Sequence, residues 1–148
     1  MAIVLAAASG GGHLEQMALL REAFAPHDWT VATTDTLQAE QLGIEAPAIL
    51  PDCNLDQPLR SLICAFRALL LILRIRPDIV ISTGAAPGFL CIFWGRLLGA
   101  RTLWIDSVAN AEQLSLSGRL ARRVAHRCLT QWEHLSDGEN VQFAGSVL

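Results

Sequence analysis

The chain opens Ala2-Ile3-Val4-Leu5-Ala6-Ala7-Ala8-Ser9-Gly10-Gly11-Gly12-His13, seven apolar residues followed by a serine, three glycines and a histidine. A continuous apolar run of strand length marks a strand buried on both faces, as in a parallel sheet. Downstream, Leu14, Met17, Ala18, Leu20 and Phe24 recur at helical spacing, with Glu15, Gln16, Arg21 and Glu22 at the polar positions, so residues 13–25 read as a helix. Strand, glycine loop, helix is the opening of a βαβ unit. It predicts an α/β, Rossmann-like parallel sheet with helices on both faces.

The same alternation continues outward. Thr30–Thr34 is a β-branched strand, with Asp35-Thr36 as turn or cap. Residues 37–42 read as a short helix and Ala48–Leu50 as an edge strand. The polar loop Pro51–Pro58 leads to a helix over residues 59–75, stopped by Pro77-Asp78. Ile79–Ser82 is the next buried strand, Thr83–Gly88 a loop, and Gly88–Leu98 a helix that Gly99 can cap in a left-handed conformation. Thr102–Ile105 is a strand, Ser117-Gly118 precedes a basic helix through about His126, and Cys128–Gln131 and Val141–Ala144 are short terminal strands. At 148 residues this is one domain, residues 1–148.

Composition narrows the function. Hydrophobic residues make up 52% and charged residues 17%, and mean hydropathy is +0.38. Such a chain folds, and its apolar excess goes to core, partner or membrane surface. The net charge of −3 supplies no basic field for nucleic acid. The four cysteines form no Cys-x-x-Cys pair, which points to buried thiols rather than a zinc site. Met1–Ala8 lacks a basic leader and reads as a strand, not a signal peptide. The longest apolar stretch, Ser61–Ile75, is interrupted by Arg67 and Arg74, and a membrane span needs about 20 apolar positions.

The glycine loop is an anion site by position. Glycines let the backbone turn and approach a ligand closely, and a helix start offers unpaired N–H groups and a positive dipole end. The dinucleotide pattern Gly-x-Gly-x-x-Gly fails at Glu15, and no Gly-Lys-Ser/Thr follows, so neither NAD nor a P-loop is indicated. A tight turn without ligand is the competing reading. His13 stands where a bound hydroxyl could meet it, and a neutral imidazole can accept a proton near pH 7. A capping or packing histidine is the alternative. Asp106-Ser107 and Thr83-Gly84 follow strands at the end where open α/β sheets bind ligands, against the plainer role of turn residues. Arg119, Arg122 and Arg123 share a helix face that could meet lipid headgroups, an acceptor diphosphate, or only water. Arg60, Arg67, Arg74 and Arg76 punctuate the apolar helix, which lies either in a membrane interface or in the core.

Ser-Gly-Gly-Gly-His-Leu-Glu-Gln-Met at 9–17 resembles the opening loop of PssD-type polysaccharide biosynthesis proteins. These are similar to the membrane-recruiting subunit of the eukaryotic two-component transferase that adds the second GlcNAc in N-glycan assembly, and more distantly to MurG. Ile81–Ala85, Trp104–Ser107, Ser115–Leu120, Gln131-Trp132 and Ala144-Gly145 match further segments in order. Asp106 stands where the family pattern has glutamate. The resemblance implies the N-terminal, acceptor-binding domain of a GT-B glycosyltransferase. The UDP-sugar would sit on a separate polypeptide, because the chain stops at Leu148 where an interdomain linker would begin. The activity implied is sugar transfer, only with that partner, to a polyprenyl- or lipid-linked saccharide in exopolysaccharide or oligosaccharide assembly, at the cytoplasmic membrane face. His13 would be the general base, assisted or oriented by Asp106. Ser9 and the amides of Gly10, Gly11 and Gly12 would hold the acceptor phosphate, and Thr83, Gly84 and Ser107 would line the cleft. No cofactor or metal is implied, and the sequence has no Asp-x-Asp pair. The alternative is a non-catalytic membrane adaptor that recruits the donor-binding subunit.

Overall fold

Seven parallel strands in the order β3-β2-β1-β4-β5-β6-β7 form the frame of the computed structural model, which describes residues 1–54 and 56–148. The strands are β1 (Ile3–Ala8), β2 (Asp28–Thr33), β3 (Ala48–Ile49), β4 (Ile79–Gly84), β5 (Arg101–Ile105), β6 (Arg127–Thr130) and β7 (Gln142–Phe143). The helices are α1 (Gly12–Leu19), α2 (Arg21–Phe24), α3 (Thr36–Gln41), α4 (Pro58–Ile75), α5 (Ala85–Leu97) and α6 (Leu116–Val124), with a 3-10 turn at Glu133–Leu135. Leu55, in the expected Pro51–Pro58 loop, lies outside the described residues.

The period-2 geometry of β1 sorts its small side chains between two layers. Val4, Ala6 and Ala8 pack with Leu14, Met17, Phe24 and Ala39 of α1–α3. Leu5 and Ala7 pack on the other face with Ala68 and Ile72 of α4, Cys91 and Ile92 of α5, and Ala121 of α6. The expected two-faced parallel sheet is thus the observed one. Burial pushes the Cys91 and Cys128 thiols up to about 12, as in inert core positions.

Two expected boundaries change. The helix expected over 13–25 is two helices, because the chain tightens at Leu20: its N–H bonds Met17 O at 3.0 Å, and Ala23 N–H bonds Leu20 O at 2.9 Å. The Thr83–Gly88 loop does not exist as such. Strand β4 runs to Gly84, and α5 begins at Ala85. Positive φ at Gly84 (148°) and Ala85 (67°) turns the chain sharply. Pro87 is no obstacle there, since first-turn N–H groups have no helical partner to lose.

α5 sits close on the sheet through two glycines. A Cβ on Gly95 would come 2.6 Å from Val80 Cγ2, and one on Gly88 would overlap Ser82 Oγ. Gly95→Val should therefore lower stability by about 1–3 kcal/mol, read as a lower urea midpoint at unchanged slope. An unchanged midpoint would contradict this packing.

Candidate functional site

Because β1 lies between β2 and β4, the connections leaving β1 and β4 run to opposite faces of the sheet. A crevice opens between them at the carboxyl ends of the strands, the general ligand position in such sheets. The glycine loop occupies it. Gly10 N–H donates to Thr34 Oγ1 at 3.0 Å, and Gly11 N–H to Gln38 Oε1 at 2.6 Å. Gln38 Nε2 returns a bond to Gly11 O at 3.0 Å, and Asp35 accepts from Gln38 N–H at 3.0 Å as cap of α3. A Cβ on Gly10 would come 2.7 Å from Asp35 Cβ. The loop is thus cast against the residues after β2. Of the three amides expected to face an anion, those of Gly10 and Gly11 are occupied within the protein. Those of Gly12, His13 and Leu14, at the start of α1, have no hydrogen-bond partner among the described residues. Ser9 is buried beneath the loop.

His13 meets Thr83 across the crevice. Its Nδ1 lies 3.1 Å from Thr83 O, and Thr83 Oγ1 donates to His13 O at 2.6 Å. The ring lies against Gly84, where any Cβ would overlap it. A carbonyl oxygen can only accept, so the neutral ring carries its proton on Nδ1 and leaves the Nε2 lone pair free. The β1–β4 register skips Thr83: Ala7 pairs with Ser82, but Ala8 pairs with Gly84.

Asp106 is 1% exposed and makes no hydrogen bond to His13. Its carboxylate accepts from Trp104 Nε1 (3.0 Å), Ser115 N–H (3.0 Å) and Ser115 Oγ (2.6 Å). Ser115 Oγ in turn accepts from Gly118 N–H and caps α6. A Cβ on Gly118 would overlap the Asp106 carboxylate. Asp106 therefore anchors α6 instead of orienting His13. The short Asp side chain reaches its partners because Gly118 lets α6 start directly over it.

The pair that joins these parts is Gln16 and Gln131, each 5% exposed. Gln16 Nε2 donates to Ser107 Oγ at 2.9 Å, and Gln16 Oε1 accepts from Val108 N–H at 3.1 Å and from Gln131 Nε2 at 2.6 Å. Gln131 also donates to Asp106 O and accepts from Val147 N–H, each at 3.0 Å. Helix periodicity places Gln16 on the polar side, so its burial is the feature sequence reading misses. A polar residue one position from core Met17 was the available signal. Beside α1 a groove of about 610 Å³ runs along Gly12, Leu19, Leu42, Ser107, Val108 and Ala109.

Arg119, Arg122 and Arg123 are exposed on α6. Arg122 and Arg123 border a hollow with Asn140 that includes none of the glycine loop, so these two are not brought to His13. On α4 only Cys64, Ala68 and Ile72 are fully buried, while Leu59, Leu62, Ile63, Phe66, Leu70 and Leu73 face outward. Arg60, Arg67 and Arg74 recur every seven residues beside them, also exposed. No helix among the described residues is long and apolar enough to cross a membrane.

Residues 52–147 match the family model described as "Oligosaccharide biosynthesis protein Alg14 like". The UDP-N-acetylglucosamine transferase subunit ALG14 of Mus musculus is 24% identical over 167 residues, covering 90% of this chain and 77% of the mouse protein. The Eremothecium gossypii protein of the same name is 35% identical over 66 residues, or 40% of this chain and 30% of that one. Among solved structures, Acinetobacter baumannii MurG superposes with a TM-score of 0.76 at 16% identity, covering 97% of this chain and 46% of MurG. The Neisseria meningitidis UDP-GlcNAc 2-epimerase bound to UDP-GlcNAc gives 0.75 at 14%, covering 98% and 47%. The chain thus spans under half of these structures and under a third of the fungal relative. At such identity the structures establish the fold, a Rossmann-like domain of the GT-B type.

Gln16→Leu should cost about 1–3 kcal/mol, because it strands buried partners on Ser107, Val108 and Gln131. Paired with Gln131→Leu in a double-mutant cycle, it should show coupling of about 0.5–3 kcal/mol in denaturant unfolding. Strictly additive losses would contradict the shared network.

Proposed function

This chain belongs to the Alg14-like family of oligosaccharide biosynthesis proteins, and from that premise we propose that it is the acceptor-binding subunit of a two-component glycosyltransferase. The partner chain holds a UDP-sugar, UDP-N-acetylglucosamine by analogy with the relatives' names. The acceptor is a polyprenyl- or lipid-linked saccharide. The observation that carries this reading is the His13–Thr83 contact beside the three open amides of Gly12, His13 and Leu14.

In this mechanism the amides and the positive end of α1 hold the acceptor's phosphate. His13 Nε2 takes the proton of the acceptor hydroxyl as its oxygen attacks the anomeric carbon, and UDP leaves with the electron pair of the broken bond. Thr83 keeps the imidazole in the reactive tautomer, and Gly84 leaves room for the ring. Asp106 and Ser107 act one step back, fixing the α6 start and the wall of the groove beside α1.

The outward apolar face of α4, continued by Phe93 and Leu97 of α5, lies on the cytoplasmic membrane surface in this reading. The arginines of α4, with Arg119, Arg122 and Arg123 on the far side of α5, meet anionic headgroups at its rim. The chain is then peripheral to the membrane and brings the acceptor's lipid end to the crevice.

In the reconstituted pair, His13→Ala should reduce turnover by about 10²–10⁴-fold with partner binding unchanged. Transfer at the wild-type rate would assign the chemistry to the partner and leave this chain a recruiting adaptor.

A further inference from the structure

We propose that the groove between α4 and the edge strand β3 seats the headgroup phosphate of an anionic phospholipid, apart from the glycine-loop site. The inference rests on the membrane reading of α4. The groove encloses about 570 Å³, with Ile49 and Leu50 on one side and Arg67, Leu70, Arg74 and Ile75 on the other. Arg67 and Arg74 lie two helical turns apart, about 10 Å along the axis. Among the described residues only the guanidiniums of Arg21 and Arg96 have hydrogen-bond partners, so Arg67 and Arg74, like Arg60, are free to meet an anion.

Two unpartnered cations over apolar walls suit an anion that continues into hydrocarbon. The groove is continuous with the outward face of α4, where Phe66, Leu70 and Leu73 are 59%, 47% and 50% exposed. A phosphate between the guanidiniums would leave its acyl chains along those three residues. An extended peptide fits less well, because β3 is only two residues long and offers little backbone to pair. Arg60, on the same helix, lies outside the groove. Headgroup capture and diffuse attraction therefore make different demands on the three arginines.

The test is flotation of the full chain with vesicles of phosphatidylcholine alone and with 30% phosphatidylglycerol. Wild type should bind the anionic vesicles at least 10-fold more tightly. Arg67→Gln/Arg74→Gln should lose about 100-fold or more of that affinity, since ~1 kcal/mol per arginine near the surface already accounts for about 30-fold and the clamp adds to it. Arg67→Lys/Arg74→Lys keeps the charge but loses the planar fork, and should still lose several-fold, whereas Arg60→Gln should lose only about 5-fold, the diffuse share of one charge. Full affinity in the lysine pair, equal loss in Arg60→Gln, or displacement by millimolar inorganic phosphate would each overturn the proposal. Phe66→Ser/Leu70→Ser should abolish binding to both vesicles. Wild type bound equally to both would sink the phosphate seat and leave the membrane reading; wild type bound to neither would sink both.

Discussion

The adjacency of β1 and β4 is the constraint on which the ligand end of this molecule depends. The two strands pair over Val4–Ala8 and Ile79–Gly84 although more than 70 residues separate them. Their pairing forces the outgoing chains apart, one into α1 and one into α5. It also brings a histidine on the first connection against a carbonyl and a glycine at the end of β4. The β1–β4 register skips Thr83, the residue whose carbonyl meets the ring. One unpaired residue thus fixes the tautomer of His13, and Gly84 clears the space for its ring.

The remaining polar groups are arranged to keep this crevice rigid. Gln16 and Gln131 tie α1, the end of β5 and the end of β6 into one hydrogen-bonded unit. Asp106 fastens α6 to β5. Every hydrogen-bonding side-chain atom buried from solvent among the described residues has a partner. Buried polar networks stabilise only when complete, so this wall tolerates loss of a member poorly. The three amides at the start of α1 stand apart from that saturation, at an edge where solvent or an anion can meet them.

Much of the fold was legible because its signals are local. The apolar run at Ala2–Ala8, the stop at Pro77 and the left-handed Gly99 each declare an element by its own chemistry. Asp35 announces a helix start in the same way, whereas α6 starts from Ser115, ahead of the expected Ser117-Gly118. Long-range determinants were not legible. Helical spacing assigns Gln16 to the polar face, and only the approach of Ser107 and Gln131 from distant segments makes it a core residue. Asp106 follows a strand at the ligand end, as expected, but its oxygens turn toward Ser115 because Gly118 admits α6 there. The loop glycines are equivalent in sequence. In space Gly10 packs on Asp35, Gly11 takes φ of 89° facing open space, and Gly12 begins the helix. The open amides therefore start at Gly12, two residues further on than Gly10, where the glycine run begins.

Binding of an acceptor diphosphate at that helix start decides whether the crevice is an acceptor site. Amide chemical-shift mapping of the ¹⁵N-labelled chain, titrated with a soluble short-chain prenyl diphosphate sugar, measures this directly. The expected result is saturable movement of the Gly12, His13 and Leu14 amides, with UDP leaving them in place. Binding of the prenyl ligand without movement of these three amides, or the same movement with UDP alone, would contradict it.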